Sequence, residues 1–436
     1  MKDIKETRER INEIDKEMVK LFEERMAEAK EVFLYKRENN LPIFDKERED
    51  EVLARNSELI ENKEYVKYYE EFMENLMNTS KKYQEDLKRA DETPRSSSLK
   101  IIHVNTDKEY DILVGRNILK NFDKFTHINR KVLLVTDENI PRKYAKSIEK
   151  ESKELFYYVI KPGEKSKNID NYKAILELMT NNHFSRKDVV IALGGGVVGD
   201  LAGFAASTYM RGIDFYNIPT SLLAMVDSSI GGKCAIDFLG IKNIVGSFYQ
   251  PNKVIIDIDT LKTLPKREFA AGLAEAFKMA LCFDKELAAL ILRDPNIENN
   301  IDKVVVSSIN IKKRVVEEDT YESGLRKVLN YGHTVGHAIE ALESPKLLHG
   351  EAVAQGMLFA SSKEVCKLVN LFIAKYGLPK PQTLDKAKIM EYIKHDKKSN
   401  QDRIDFIYLK STTNFEIQNI TLKELEERLW VNLVKS

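Results

Sequence analysis

Nowhere in these 436 residues do apolar side chains run for the roughly 18 positions that a bilayer-spanning helix needs. The N-terminal MKDIKETRER lacks the apolar core of a secretion signal, so a cytoplasmic protein is expected. Cysteine is scarce: Cys234, Cys282 and Cys366 stand far apart, with no C-x-x-C. This excludes a disulfide framework and a cysteine zinc cluster, and suits a reducing compartment. Net charge is absent too, with Lys plus Arg and Asp plus Glu at 69 each, so nothing global points to nucleic acid or an anionic membrane. Any anion site must be local.

Residues 1 to about 90 lack glycine and hold one proline, Pro42. Ile11, Ile14, Met18, Leu21, Ala29 and Val32 recur at helical spacing, giving one apolar stripe on a long first helix that Asn39-Asn40-Leu41-Pro42 stops. A second helix is expected from Asp45 as N-cap, with Arg48 and Glu49 in its first turn, and a third over Tyr65 to Lys88. Arg25 interrupts the stripe and shares its face with Lys36, almost three turns on; Ser80 and Gln84 stand at i and i+4. From spacing alone, this three-helix unit reads equally well as an oligomerisation module with snorkelling basic side chains.

In TRERINEID, EERMAEAKEV, YK, DKERE and SKKYQ, residues 1 to 88 resemble the all-helical chorismate mutases. The resemblance implies that Arg8, Arg25 and Arg48 hold the two carboxylates of chorismate, Arg8 from a second subunit. It assigns Lys36 and Gln84 to the ether oxygen, and Glu49 and Ser80 to orienting the substrate. A Claisen rearrangement needs no nucleophile or base; positioning and preorganised donors suffice. Phe44 departs from the basic residue of some relatives. The bland alternative remains a non-catalytic dimerisation or regulatory module.

Lys88 to Lys100, KRADETPRSSSLK, reads as a linker, and the acidic excess before it is balanced by a basic excess after it. The boundaries expected are an all-helical domain over 1–90, a linker over 91–100, an α/β domain over 101–265 and a helical domain over 266–436. Lys131 to Thr136 and Leu155 to Ile160 are buried strands followed by polar clusters at Asp137 to Asn139 and Lys161 to Lys167. Val189 to Leu193 is a third strand, broken by Gly194-Gly195-Gly196, with a helix expected from about Val198. Glycines there admit positive φ and close backbone approach, and a helix N-terminus favours phosphate. Gly194, Gly196 and Gly199 fit G-x-G-x-x-G, whose ribose acid would be Asp214; that residue reads instead as a turn before the next strand.

After Pro265 helical patterns dominate, with one late strand at residues 404–409 and an amphipathic end from Leu422 carrying Trp430. His333 and His337 stand at i and i+4, His349 follows, and Glu275 could complete a metal set with an open position. Spacing leaves open which two histidines would ligate.

Across residues 101 to 436 these motifs, in this order, resemble 3-dehydroquinate synthase. The resemblance implies that Asp137, Asn139, Glu164 and Lys167 hold the adenosine part of NAD. Gly195, Gly196, Val197, Val198, Gly199 and Asp200, with Thr220, Ser221, Thr260, Leu261, Lys262 and Thr263, would surround pyrophosphate and nicotinamide. Asp227, Lys233, Lys242 and Asn243 would join cofactor to substrate, and Glu275, His333 and His349 would hold zinc or cobalt, leaving His337 as acid/base. Lys278, Lys312, Glu322, Arg326 and Asn330, with Arg211 and Lys397, would bind the heptulosonate phosphate substrate or act on it. Departures are Thr320 where a Glu is usual, Asp237 where an Asn is typical, and a shifted glycine in Leu239-Gly240-Ile241. A homodimer is expected. An NAD- and metal-dependent polyol dehydrogenase is the second reading of this part.

Overall fold

The computed structural model describes residues 3–38, 41–92, 99–126, 128–343, 345–380, 385–396 and 403–433. The chain divides into two compact units, Met1–Ser96 and Ser97–Ser436.

The first unit is α1 (Ile4–Glu38), α2 (Lys46–Glu58) and α3 (Val66–Glu92). Asp45 caps α2 as its sequence suggests, its side chain accepting from the Arg48 N–H at 3.1 Å. A 3₁₀ turn over Lys63–Tyr65 leads into α3, which starts one residue later than expected and runs four residues past Lys88 into the expected linker. The buried core is thin: Phe33 of α1 and Met73 and Met77 of α3, with Ser80 and Gln84. The stripe on α1 stays open in the single chain, Leu21 being 64% exposed.

The second unit is built on strands β1 (Lys100–Val104), β2 (Tyr110–Gly115), β3 (Lys131–Asp137), β4 (Glu154–Ile160), β5 (Val189–Gly194) and β6 (Asp214–Pro219). A hairpin, β7 (Lys233–Phe238) and β8 (Ile241–Phe248), precedes β9 (Lys253–Asp257). The main sheet runs β1-β2-β9-β6-β5-β3-β4, all parallel except β1. Val132 to Val135, Val189 to Leu193 and Val254 to Ile256 are continuous buried apolar runs because both faces are covered. Helices α4 (Lys146–Glu151), α5 (Ile169–Asn181) and α6 (Gly196–Thr208) supply part of that cover. From β3 the chain goes outward to β4 and returns on the other side of β3 to β5, so the strand order reverses between Asp137 and Gly194. Open α/β sheets bind ligands in such a crevice.

The helical part comprises α7 (Lys266–Phe283), α8 (Lys285–Arg293), α9 (Ile301–Glu318), α10 (His333–Glu343), α11 (His349–Phe359), α12 (Lys363–Tyr376) and α13 (Lys386–Asp396). The hairpin β10 (Arg403–Ser411) and β11 (Asn414–Thr421), then α14 (Leu422–Leu433), close the chain. One apolar cluster runs from Ile112 and Val254 of the sheet through Phe277 and Val304 to Leu425, so sheet and helices share a core. The late strand is legible in the sequence, but its partner β11 is not, since only one of its residues is buried. The side chain of Trp430 lies outside the described residues.

Candidate active site

Strand β5 ends at Gly194, and α6 starts at Gly196, two residues before the expected Val198. The glycines act by lacking Cβ: none of Gly194, Gly195 and Gly196 has positive φ, contrary to the expectation from their run. A Cβ on Gly194 would lie 2.7 Å from Val198 Cγ2, whereas one on Gly195 would meet nothing nearer than Ser221 Oγ at 3.5 Å. No side chain caps α6, so its first N–H groups are left for an anion. Thr220 donates its N–H to Gly194 O at 2.9 Å, placing Thr220 and Ser221 beside the turn. Asp137 accepts from the Asn139 N–H at 2.9 Å where β3 ends, and burial pushes its carboxyl up. Asp214 begins β6, at the end of the strands opposite the glycine turn, and pairs with Arg130 at 2.6 Å, which agrees with rejecting it as the ribose acid.

Several residues expected around NAD have protein partners. The Lys167 ammonium is enclosed by Glu164 at 2.6 Å, Asp200 at 3.4 Å and Asp237 at 3.9 Å. Burial pushes Asp200 up to about 6, partly offset by Lys167. Thr260, Leu261, Lys262 and Thr263 form a 3₁₀ turn after β9, in which Lys262 pairs with Asp259 at 2.8 Å and Thr263 Oγ1 bonds Tyr144 at 3.0 Å. Lys242 sits on Glu340, at 2.6 Å.

Beyond the turn, a cleft of about 580 Å³ is lined by Asp200, Asp227, Lys233, Asn243, Lys278, Lys312, Glu322, Arg326, Asn330, His333, His337 and His349. Different elements bring them there. Asp227 lies in a π-helical turn, Ala224–Ser228, an uncommon conformation that is frequent at functional sites. Its carboxylate and carbonyl both accept from Lys312 of α9, the carbonyl at 2.5 Å. Burial lowers Lys312 to about 8 although Asp227 opposes. Asn243 has a left-handed φ of 54° and donates its N–H to Asp237 at 2.9 Å. Arg326, nearly fully buried, donates to the carbonyls of Thr320 and Gly231, and Gly231 (φ 90°) has no Cβ to block it.

Glu322 has a left-handed φ of 63°, an unfavourable conformation for a side chain with Cβ. Asp319 holds the bend by accepting from the N–H groups of Ser323, Gly324 and Arg326; these bonds outweigh burial and keep it at about 2. The Glu322 carboxylate accepts from Lys233 and from Asn330 at 2.5 Å. Thr320, which replaces the usual Glu, bonds back to Val316 O at 3.0 Å.

Glu275 is fully buried on α7, with Oε2 2.5 Å from Lys278 and Oε1 3.7 and 3.4 Å from Nε2 of His333 and His349. Apart from the Lys278 ion pair, the buried carboxylate has no well-aligned hydrogen bond, which leaves Oε1 toward the two imidazoles. Ligand atoms about 2.1 Å from a tetrahedral ion stand roughly 3.4 Å apart, so the carboxylate and the two imidazoles fit a divalent cation. One ligand atom of each of His333, His337 and His349 lies within 4.8 Å of the others, so the third histidine is within reach as well. His349 Nδ1 faces Glu340 at 2.9 Å and His333 Nδ1 faces Tyr331 O at 3.2 Å, leaving both Nε2 atoms toward Glu275. Burial and Lys278 hold His333 well below its ordinary pKa; against burial, Glu275 and Glu340 push His349 to about 10, marking a field that favours positive charge.

One expected substrate residue is not brought here. Arg211 lies beyond the C-terminal end of α6, about 20 Å of helix from the glycine turn, where φ values of 50° and 65° at Met210 and Arg211 turn the chain. Lys397 lies outside the described residues. Glu340, on the same face as His333 and His337 at i+7 and i+3, was not singled out in the sequence, although that spacing could have revealed it.

In the first unit, Arg25 donates to Ser80 Oγ at 2.5 Å, Gln84 to Ala29 O at 2.7 Å and Lys36 to Ile43 O at 2.7 Å. Glu49 pairs with Lys81 at 2.8 Å, and Lys81 lies 4.8 Å from the Phe44 ring centre. Arg48 is exposed and pairs with Glu51 at 2.6 Å. Arg8 is exposed on α1, about 25 Å of helix from Arg25.

Comparison with known proteins accounts for both units. Residues 157–271 match 3-dehydroquinate synthase N-terminal and residues 272–399 match 3-dehydroquinate synthase C-terminal. A 3-dehydroquinate synthase of Alkaliphilus oremlandii is 41% identical over 343 residues, covering 73% of this chain and 94% of that relative. The chain belongs to the 3-dehydroquinate synthase family. Residues 7–85 match chorismate mutase type II, so the enzyme is a fusion carrying both domains. Among solved structures, a 2-deoxy-scyllo-inosose synthase complexed with carbaglucose-6-phosphate, NAD+ and Co2+ has a TM-score of 0.68 at 24% identity, covering 76% of this chain and 99% of its own. ValA, a 2-epi-5-epi-valiolone synthase from Streptomyces hygroscopicus with NAD+ and Zn2+ bound, has a TM-score of 0.69 at 23% identity, covering 77% and 99%. These two share the fold.

Proposed function

We propose that the second unit converts 3-deoxy-D-arabino-heptulosonate 7-phosphate to 3-dehydroquinate and phosphate, with recycled NAD and one divalent ion, zinc or cobalt. The observation that carries this reading is one cleft in which the histidines that face buried Glu275 meet Lys233, Lys278, Lys312 and Arg326. Bound NAD would take a hydride from C5 and return it, and the metal would add Lewis acidity at the neighbouring oxygens. Glu275, His333 and His349 hold the metal, and the α6 N-terminus with Gly195 holds the pyrophosphate. Lys278, Lys312 and Arg326 give charge-assisted bonds to the substrate's carboxylate and phosphate, and Asn330 and Asn243 bond its hydroxyls. With these cations beside the leaving phosphate, loss of the C6 proton and the C7–O bond is eased. His337 and Glu322 border the metal and Lys233 respectively, and move protons during hydride transfer and ring opening. Lys397 would add a further cation at the substrate.

The assay is phosphate release from the heptulosonate phosphate with no net change in NADH absorbance. Accumulation of NADH from a simple polyol would instead identify a dehydrogenase.

The first unit converts chorismate to prephenate. Arg25 with Ser80, Lys36 and Gln84 supports this, since two cations and an amide stand on facing helices beside a thin core. The open stripe of α1 and the distance of Arg8 favour a homodimer in which Arg8 reaches the partner's site. Arg25→Ala in the full chain should cut mutase activity by about 10²-fold or more while phosphate release is unchanged. An unaffected mutase, or none in the wild type, would favour the dimerisation or regulatory alternative. A cytoplasmic location is part of this reading; among the described residues no helix is long and apolar enough to cross a membrane.

A further inference from the structure

The outer contacts of the metal set reach into the α/β part of the unit. Glu275, His333, His349 and Glu340 all stand on helices α7, α10 and α11, but the cation on Glu340 comes from β8. Lys242 Nζ lies 2.6 Å from Glu340 Oε1, and Glu340 Oε2 lies 2.9 Å from His349 Nδ1. The Glu340 side chain is 15% exposed, so it is mostly removed from water. Its two oxygens thus serve different partners. One takes the imidazole N–H; the other takes an ammonium delivered by a hairpin whose other residues, Lys233 and Asn243, line the cleft.

The consequence follows from imidazole chemistry. A neutral imidazole that donates from Nδ1 presents a lone pair at Nε2, and here Nε2 faces Glu275 Oε1 at 3.4 Å. A carboxylate at Nδ1 therefore sets both the tautomer and the ring plane of His349. His333 has only the weaker carbonyl of Tyr331 for the same purpose. Lys242 in turn limits the rotamers open to Glu340.

We propose that Glu340 is a positioning residue for the metal, fixing His349 as an Nε2 ligand, and that Lys242 braces it from the β7–β8 hairpin. The inference rests on the metal site assigned under Proposed function. It gives Lys242 a role other than contact with NAD.

Cobalt titration of the metal-free full-length protein tests it, with the visible Co2+ bands and a competing chelator as readouts, in the absence of NAD and substrate. Glu340→Ala should weaken Co2+ binding by about 10–100-fold. Glu340→Gln, whose amide oxygen still accepts from Nδ1–H, should recover much of that loss. Lys242→Met should weaken binding less than Glu340→Ala, in the same direction. Wild-type protein with no cobalt bands would overturn the metal site itself. Wild-type bands with unchanged affinity in Glu340→Ala would overturn the positioning role alone. If the alanine variant fails to fold, equal affinity of the glutamine variant and Glu340→Leu would overturn it. A merely structural Glu340 would lower the melting temperature of the metal-free protein and leave cobalt affinity as it was.

Discussion

At the scale of single residues, the cleft is a set of buried charges held by near neighbours. Lys312 is the clearest case. Burial takes its pKa from the ordinary 10.5 to about 8, and the pair with Asp227 recovers only part of the difference. Between those values the unfolded chain binds a proton that the folded chain does not. This group therefore lowers stability as pH falls through that window and has no further effect below about 8. The same titration bears on function. The KM for the phosphorylated substrate should rise above pH about 8, and Lys312→Arg, charged at every working pH, should flatten the rise. An identical rise in the arginine variant, measured by initial rates of phosphate release between pH 7 and 9.5, would remove Lys312 as the cause. Residue types and order made the lysines, the histidines and Glu275 legible as a group. Asp319 and Glu340 were not, because each acts through another residue, and such roles depend on contacts 4 to 9 residues away in folded geometry.

At the scale of elements, helix α11 is placed by close approach. A Cβ on Gly350 would lie 2.0 Å from Ala271 O of α7, and one on Gly356 would lie 2.0 Å from Gly332 O before α10. Arg267 of α7 clamps Glu351 of α11 with two bonds of 2.6 Å. These contacts press His349, the first residue of α11, against Glu275. Gly350→Ala should then cost about 1–3 kcal/mol in urea unfolding and weaken cobalt binding as α11 moves off α7; a variant as stable as wild type would show that α11 can shift freely. The start of α6 was legible from the glycines, but their reason was not. Sequence admits both positive φ and the absence of Cβ as causes, and only the packing of Val198 and Ser228 around them decides for the second.

At the scale of the whole chain, the two compact units predict two unfolding transitions. Removing metal should act on one alone. A ligand at 100 times its Kd stabilises by about 2.7 kcal/mol, so chelation should lower the transition of residues 97–436 by about 4 °C and leave that of residues 1–96 in place. Calorimetry with and without chelator reads this directly; a shift of both transitions would mean that the units unfold together.

The sequence by itself determined the class of each part. Helical spacing without glycine marked the first unit, and buried strands ending in polar clusters marked the sheet. An ordered series of motifs carries the resemblance to both families. These features depend on neighbours along the chain, where composition and period suffice. Tertiary structure alone decided which charges meet: Lys167 under three carboxylates, Lys242 on Glu340, and Glu275 facing two imidazoles. A buried charge must find its partner through space, and the partners here are separated by up to 98 residues of sequence.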